Sequence, residues 1–390
     1  MTTSRRDFVR LGGAALAGGV ALGTGTASAE VDVAAEERID WSVEVVESTM
    51  RQYTPETLGG WGYTRGLYLW GQWLVFERTK NKKYFDYVKA WVDRFVGPDG
   101  KFSRTFTHLD SMRAGQLLPL LYNATGDRRY RTASTQIRER LNTYSRTNEG
   151  GFWHAEGGTR DFQNWSDGVY MVVPFIKKHG YAFGEKDWAV AESLKQLLVY
   201  AKNLQHEDGL FHHAYDESRK VSWADAKTGV SPEFWGRAMG WYAITCCDVL
   251  EDLPRNHPDR PKLISILGRL IAALAKHQDP RTGRWFQVVD KGSNPENWTE
   301  TSCSSMYSMA ISRAVERGYV SRKYDAVARR GYRGVLDRVS INAQGQTEIA
   351  EICIGTNVGD LPFYLARPRA VNDLHGIGAF LIMNEQLRRR

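Results

Sequence analysis

Long apolar runs are missing from this 390-residue chain. None approaches the roughly 20 apolar residues that a membrane span needs, so the mature protein is expected to be soluble, with no membrane partner. Cysteine is scarce. The four present, Cys246, Cys247, Cys303 and Cys353, lack paired metal-ligand spacing and suit buried thiols better than a disulfide framework. The patterns G-x-x-x-x-G-K-[ST], G-x-G-x-x-G and G-x-S-x-G are all absent, which removes the usual phosphate cradle, the dinucleotide fingerprint and the serine elbow. Lys and Arg number 52 against 45 Asp and Glu, for a net charge of +7, but the charges are scattered. No basic stripe of the kind that tracks nucleic acid is seen, and no Pro/Ser-rich linker divides the chain.

The N-terminus is distinctive. "SRRDFVRLGGAALAGGVALGTGTASAE" joins Arg5 and Arg6 to a short Gly/Ala/Thr-rich segment and an Ala27-Ser28-Ala29 site. This pattern predicts a twin-arginine export signal over 1–29, cleaved after Ala29, and delivery to the periplasm or the exterior. Residues 30–390 are then expected to form a single domain.

A glycine-aromatic turn recurs along that domain: "GGWGY" at Gly59, "DGKF" at Asp99, "GGFWH" at Gly150, "DGLFHH" at Asp208, "TGRWF" at Thr282 and a weaker "QGQTE" at Gln344. After each comes an aromatic or polar cluster and then a helical pattern, with second amphipathic helices such as "KKYFDYVKAWVDRFV" between. In that segment Tyr84, Phe85, Val88, Trp91, Val92 and Phe95 share one face. Helix joints repeat as well, since "RTKNKKY" and "ATGDRRY" both set Thr five residues before Tyr. Six helical hairpins make either an open solenoid or a closed double ring. Aromatics at equivalent slots converge only if the ring closes, so the chain is expected to be all-α, an (α/α)6 barrel of twelve main helices with short strands or loops on one rim.

Six helix starts at one mouth bring tryptophan, histidine, arginine and carboxylates together, as a sugar-binding cleft requires. Within "QNWSDGVYM", Asp167 stands beside Trp165. Asp167 is either a first-turn carboxylate that complements the helix dipole or a catalytic acid. "NWTE" puts Glu300 in the slot that "NWSD" gives Asp167, and capping alone would favour an acidic residue there.

The stretches "HLDSMRAGQLLPLLYNATGDRRY", "NWSDGVYMVVPFI", "SWADAKTGVSPEFWGRAMGWYAI", "WTETSCSSMYSMAISRAVERGYV" and "GDLPFYLARPRAVNDLHGIGAFLI" resemble the unsaturated glucuronyl and rhamnogalacturonyl hydrolases, glycoside hydrolase family 105 and its relative family 88. The resemblance implies an (α/α)6 barrel without metal or cofactor. It also implies hydration of the double bond in a terminal 4,5-unsaturated uronic acid on an oligosaccharide left by a polysaccharide lyase, with rhamnose as the favoured neighbouring sugar. By similarity Asp167 is the general acid/base, Asp110 a second carboxylate that opposes its ionisation, and His213 a sugar contact. Trp165, Trp235 and Trp241 would be aromatic platforms, and Arg237 a partner for the uronate carboxylate. Ala238 and Met239 depart from the family form W-x-R-G-N-G-W. Two rivals remain at this point: an inverting glycosidase that uses Asp110 and Asp167 on saturated chains, and a non-catalytic oligosaccharide-binding protein. The sequence sets no oligomeric state.

Overall fold

The computed structural model describes residues 39–102 and 104–388; the export segment expected at 1–29 lies outside them. Thirteen helices occur among the described residues, twelve of them nine residues or longer. They are α1 (Trp41–Gln52), α2 (Tyr63–Thr79), α3 (Lys82–Asp93), α4 (Leu117–Thr125), α5 (Arg128–Thr143), α6 (Asp167–Phe183), α7 (Lys186–Leu204), α8 (Gly236–Asp252), α9 (Arg260–Lys276), α10 (Thr301–Glu316), α11 (Asp325–Leu336), the one-turn α12 (Leu361–Leu365) and α13 (Leu374–Leu387). Two short 3-10 turns, Leu109–Ser111 and Arg113–Gln116, lead into α4.

The helices form two concentric rings. Helix α2 packs on α13, α13 on α10, α10 on α8, and α8 on α6; α6 packs on α4 and the turn at its head, and that turn returns to α2. This inner ring is closed. Helices α3, α5, α7, α9 and α11 each follow an inner helix and pack outside it, while α1 covers α13. The sixth pair therefore joins the two ends of the chain. The closing seam is tight: a side chain on Gly378 of α13 would begin 2.8 Å from the Leu67 carbonyl oxygen of α2. The barrel is thus an (α/α)6 double ring, as the repeats predicted.

Burial explains which helix goes where. Helix α8 is buried at nearly every position from Gly236 to Leu250, as expected for an element walled on both sides. Helix α3 hides only Tyr84, Tyr87, Val88, Trp91 and Val92, the single stripe of an outer helix.

The repeated joints have one geometry. The Thr79 hydroxyl donates to the Val75 carbonyl and accepts from Asn81 N–H, and Asn81 then caps α3 through Lys83 N–H. Thr125, Asp127 and Arg129 make the same three bonds at the head of α5.

The six glycine-aromatic turns also agree, with Gly59, Gly100, Gly150, Gly209, Gly283 and Gly345 all at positive φ. Each turn precedes an inner helix, so all six fall on the rim where the inner helices begin. That rim also carries four two-stranded antiparallel ribbons. These are β1 (Gln163–Trp165) with β2 (Ala214–Asp216), β3 (Trp285–Phe286) with β4 (Thr299–Glu300), β5 (Val339–Ile341) with β6 (Thr347–Ile349), and β7 (Ile352–Cys353) with β8 (Arg369–Ala370). All four cysteines are free and buried. No described helix is long and apolar enough to cross a membrane.

Candidate active site

The β1–β2 ribbon sets the centre of the mouth. Trp165 pairs with Ala214, and Ser166 N–H donates to the His213 carbonyl at 2.8 Å. That register puts the His213 ring beside the first residue of α6, Asp167. Asp167 Oδ2 and His213 Nε2 lie 3.3 Å apart, misaligned for a hydrogen bond, and neither atom has another partner. Catalytic hydrogen bonds in unliganded sites are often loose in this way. On its other side His213 Nδ1 is 2.7 Å from the Tyr364 hydroxyl, which accepts from Gly359 N–H at 3.3 Å. Burial pushes the Tyr364 phenol up, so it stays protonated. It satisfies both neighbours by donating to Nδ1, which leaves the His213 proton on Nε2, facing Asp167. His212 turns to the other side, toward the Ser231 carbonyl at 2.6 Å, as alternation along an extended segment requires.

Asp110, in the 3-10 turn before α4, is the second carboxylate of the mouth. Its Oδ1 is 3.7 Å from His154 Nε2, and the His154 ring stacks on Trp165 at 4.3 Å and 5°. Asp110 and Asp167 are enclosed by protein on most sides yet keep 29% and 14% of their side-chain surface open, as on the floor of a recess. Their electrostatics diverge. Burial, then the charge of Asp167, pushes Asp110 up to about 7, against the pull of Arg160. Burial would also raise Asp167, but His213 foremost, with His154 and Arg237 behind, outweighs it and holds that carboxyl below the usual range. Burial keeps His154 neutral, down at about 3. Below about pH 7 the carboxylate pair therefore holds one proton, which rests on Asp110.

Glu300 has another fate. It is fully buried and accepts from the N–H groups of Ser302, Cys303 and Cys353, so it caps α10. Ser166, at the corresponding helix start, sends its hydroxyl to the Ala238 carbonyl instead, and Asp167 caps nothing.

Four expected contacts are placed differently from what the sequence suggested. Trp165, Trp235 and Trp241 are 5%, 1% and 1% exposed, so none presents an open face. Trp165 is covered by His154 and Arg160, Trp235 by His213 and Arg237, and Trp241 stacks on Tyr170 inside the barrel at 4.8 Å. Arg237 is 2% exposed; its Nη1 and Nη2 donate to the carbonyls of Cys353 and Ile354, both at 2.8 Å. It holds that loop, also donates from Nη1 to the Ser302 hydroxyl and lies 3.9 Å from Glu300, so three of its five N–H groups and its charge are engaged within the protein. Ala238 and Met239 are fully buried, so the departure from the family form lies in packing.

The sequence did not single out His154, Arg160 or Tyr364. His154 closes one of the glycine-aromatic turns, "GGFWH", which was a usable signal. Among the described residues no group of three or more His, Cys, Asp or Glu is arranged to hold a metal ion.

Comparison with known proteins places this arrangement. Residues 41–390 match the model of Glycosyl Hydrolase Family 88. A solved family 105 glycoside hydrolase of C. acetobutylicum superposes with a TM-score of 0.84 at 33% identity, over 89% of this chain and 99% of that one. A possible family 105 member from Klebsiella pneumoniae gives a TM-score of 0.74 at 26% identity, over 85% and 83%. The unsaturated rhamnogalacturonyl hydrolase YesR of Bacillus subtilis is 25% identical over 303 residues, 76% of this chain and 80% of its own.

Proposed function

We propose, for a chain that belongs to glycosyl hydrolase family 88 and is a glycoside hydrolase, that it removes a terminal 4,5-unsaturated uronic acid from lyase-generated oligosaccharides, with rhamnose as the neighbouring sugar. The name of the YesR relative supports that substrate class. The observation that carries the chemistry is Asp167: a carboxylate at a helix start that caps nothing, lies 3.3 Å from His213 Nε2 and keeps one side open.

Asp110 holds a proton below about pH 7 while Asp167 is ionised. Bound substrate shields the pair from water and adds negative charge, which raises the affinity of Asp167 for that proton. Asp167 protonates carbon 4 of the enol ether. The resulting carboxylate takes a proton from water as its oxygen adds to carbon 5, so one group serves both steps. The hemiketal then opens: the bond from carbon 5 to the ring oxygen breaks, a keto group forms at carbon 5, and the hemiacetal left at carbon 1 releases the neighbouring sugar. One water is consumed. His213, oriented by Tyr364, steadies the Asp167 carboxylate after each transfer.

A substrate deuterated at carbon 4 tests this. Hydration takes carbon 4 from trigonal to tetrahedral in the transition state and gives an inverse secondary isotope effect on kcat/KM, whereas displacement at carbon 1 leaves carbon 4 trigonal. An isotope effect of unity refutes the proposal.

Export through the twin-arginine route is part of the same reading. Lysine at positions 5 and 6 should hold the precursor in the cytoplasm, and normal export of that variant would refute this part.

A further inference from the structure

A substrate that ends in a uronate brings a carboxylate into a recess already faced by Asp110 and Asp167. A cation beside it would balance that charge, and Arg237 is already paired with the buried Glu300 at 3.9 Å while its Nη groups donate to backbone carbonyls. Arg160 is differently placed. Its guanidinium carbon lies 4.4 Å from the centre of the Trp165 ring, two residues before the catalytic carboxylate. Its Nη2 donates to Asn357 Oδ1 at 2.6 Å, so the side chain reaches from the segment before β1 to the loop after β7. Its charge is felt by Asp110, His108 and His154, which puts it at the same mouth. Among the described residues it forms no ion pair, and its Nε and Nη1 have no partner. It is a guanidinium outside any ion pair, with donors to spare and set over an aromatic ring, a form suited to a planar carboxylate.

We propose that Arg160 binds the carboxylate of the terminal uronate, with Trp165 as the plate behind its guanidinium and Asn357 as its tether. The assignment rests on the functional reading above and makes Arg160 the residue that selects an acidic over a neutral terminal sugar. It also gives Trp165 a role that its 5% exposure allows, since the ring acts on the substrate through the arginine.

The test compares wild type, Arg160→Met and Arg160→Lys on an unsaturated disaccharide as the free acid and as its methyl ester. Wild type should prefer the acid by about 10- to 100-fold in kcat/KM, the effect of one charge-assisted pair. Arg160→Met should bring the acid-to-ester ratio close to one, chiefly through KM for the acid, and Arg160→Lys should restore part of it. If Arg160 only straps two loops together, acid and ester lose activity alike and the ratio stays at its wild-type value, which overturns the proposal. A retained ratio with loss confined to substrates sulfated on the neighbouring sugar also overturns it. A wild-type enzyme that turns over neither compound, while cleaving saturated disaccharides, refutes the functional reading and this assignment with it.

Discussion

Asp167 and Glu300 show how one sequence slot yields two chemistries. "NWSD" and "NWTE" look equivalent, yet Glu300 is sealed among the N–H groups of Ser302, Cys303 and Cys353, while Asp167 stands one residue into its helix beside His213. Their substitutions should separate accordingly. Asp167→Asn is expected to melt like the wild type and lose about a thousandfold in kcat, since the amide cannot cycle a proton. Glu300→Ala is expected to cost about 3 kcal/mol of stability or more, because three buried donors lose their acceptor. Thermal melts alongside kinetics would distinguish the two, and a destabilised, active Asp167→Asn would reverse the roles.

Asp110 makes a second prediction at this scale. Its folded value near 7 lies above the unfolded carboxylate value of about 4. Its contribution to stability is therefore present below the unfolded value and lost as pH rises through the folded one. Asp110→Asn should raise Tm more at about pH 8 than at about pH 5, and should remove the alkaline fall in kcat/KM that begins near the Asp110 value. An unchanged profile would show that Asp110 does not hold the proton.

At the scale of elements, the repeat is a set of local rules applied six times. The joints at Thr79 and Thr125 use the same hydroxyl, left-handed residue and capping side chain, with Lys80 in one and Gly126 in the other. The turns at the open rim use a glycine at positive φ, and some also use its lack of a side chain. Gly209 has φ +101, and a Cβ there would lie 2.5 Å from the Arg269 carbonyl oxygen of α9; Gly345 has φ +70 and no neighbour within 4 Å of its Cβ position. Alanine should therefore cost about 1 kcal/mol at Gly345, from backbone strain alone, and about 3 kcal/mol at Gly209, where steric overlap adds to it. Chemical denaturation of both variants would check this, and equal losses would contradict it. Turn glycines, caps and apolar stripes are each set within a few neighbouring residues, so the repeat and the helix starts were legible in the order of amino acids alone.

At the scale of the whole molecule, legibility falls where distant segments meet. Closing the ring with α13 and α1 brings the loop after β7 against α8, and Arg237 is drawn to the carbonyls of Cys353 and Ile354, more than a hundred residues away. The resemblance marked Arg237 as a ligand contact; in the fold, that distant backbone takes a donor from each of its Nη groups. Trp241 looked like a platform, but its position on an inner helix points it at Tyr170 in the barrel interior. Arg160 went unnoticed because it lies in a segment outside the repeat, and only the fold sets it on Trp165 and Asn357. His213 was marked by the resemblance, since alternation alone says only that His212 and His213 face opposite ways; its partner Tyr364 was not legible, because the two are 151 residues apart.

The central claim is that the enzyme attacks a carbon-carbon double bond, with Asp167 moving the proton. Its most direct test offers matched unsaturated and saturated uronyl disaccharides and follows both the ultraviolet absorbance of the conjugated uronate and the neighbouring sugar released. The account predicts that absorbance falls in step with release, one for one, that the saturated compound is untouched, and that Asp167→Asn abolishes both signals. Cleavage of the saturated disaccharide, with the absorbance of the unsaturated one unchanged, would contradict it.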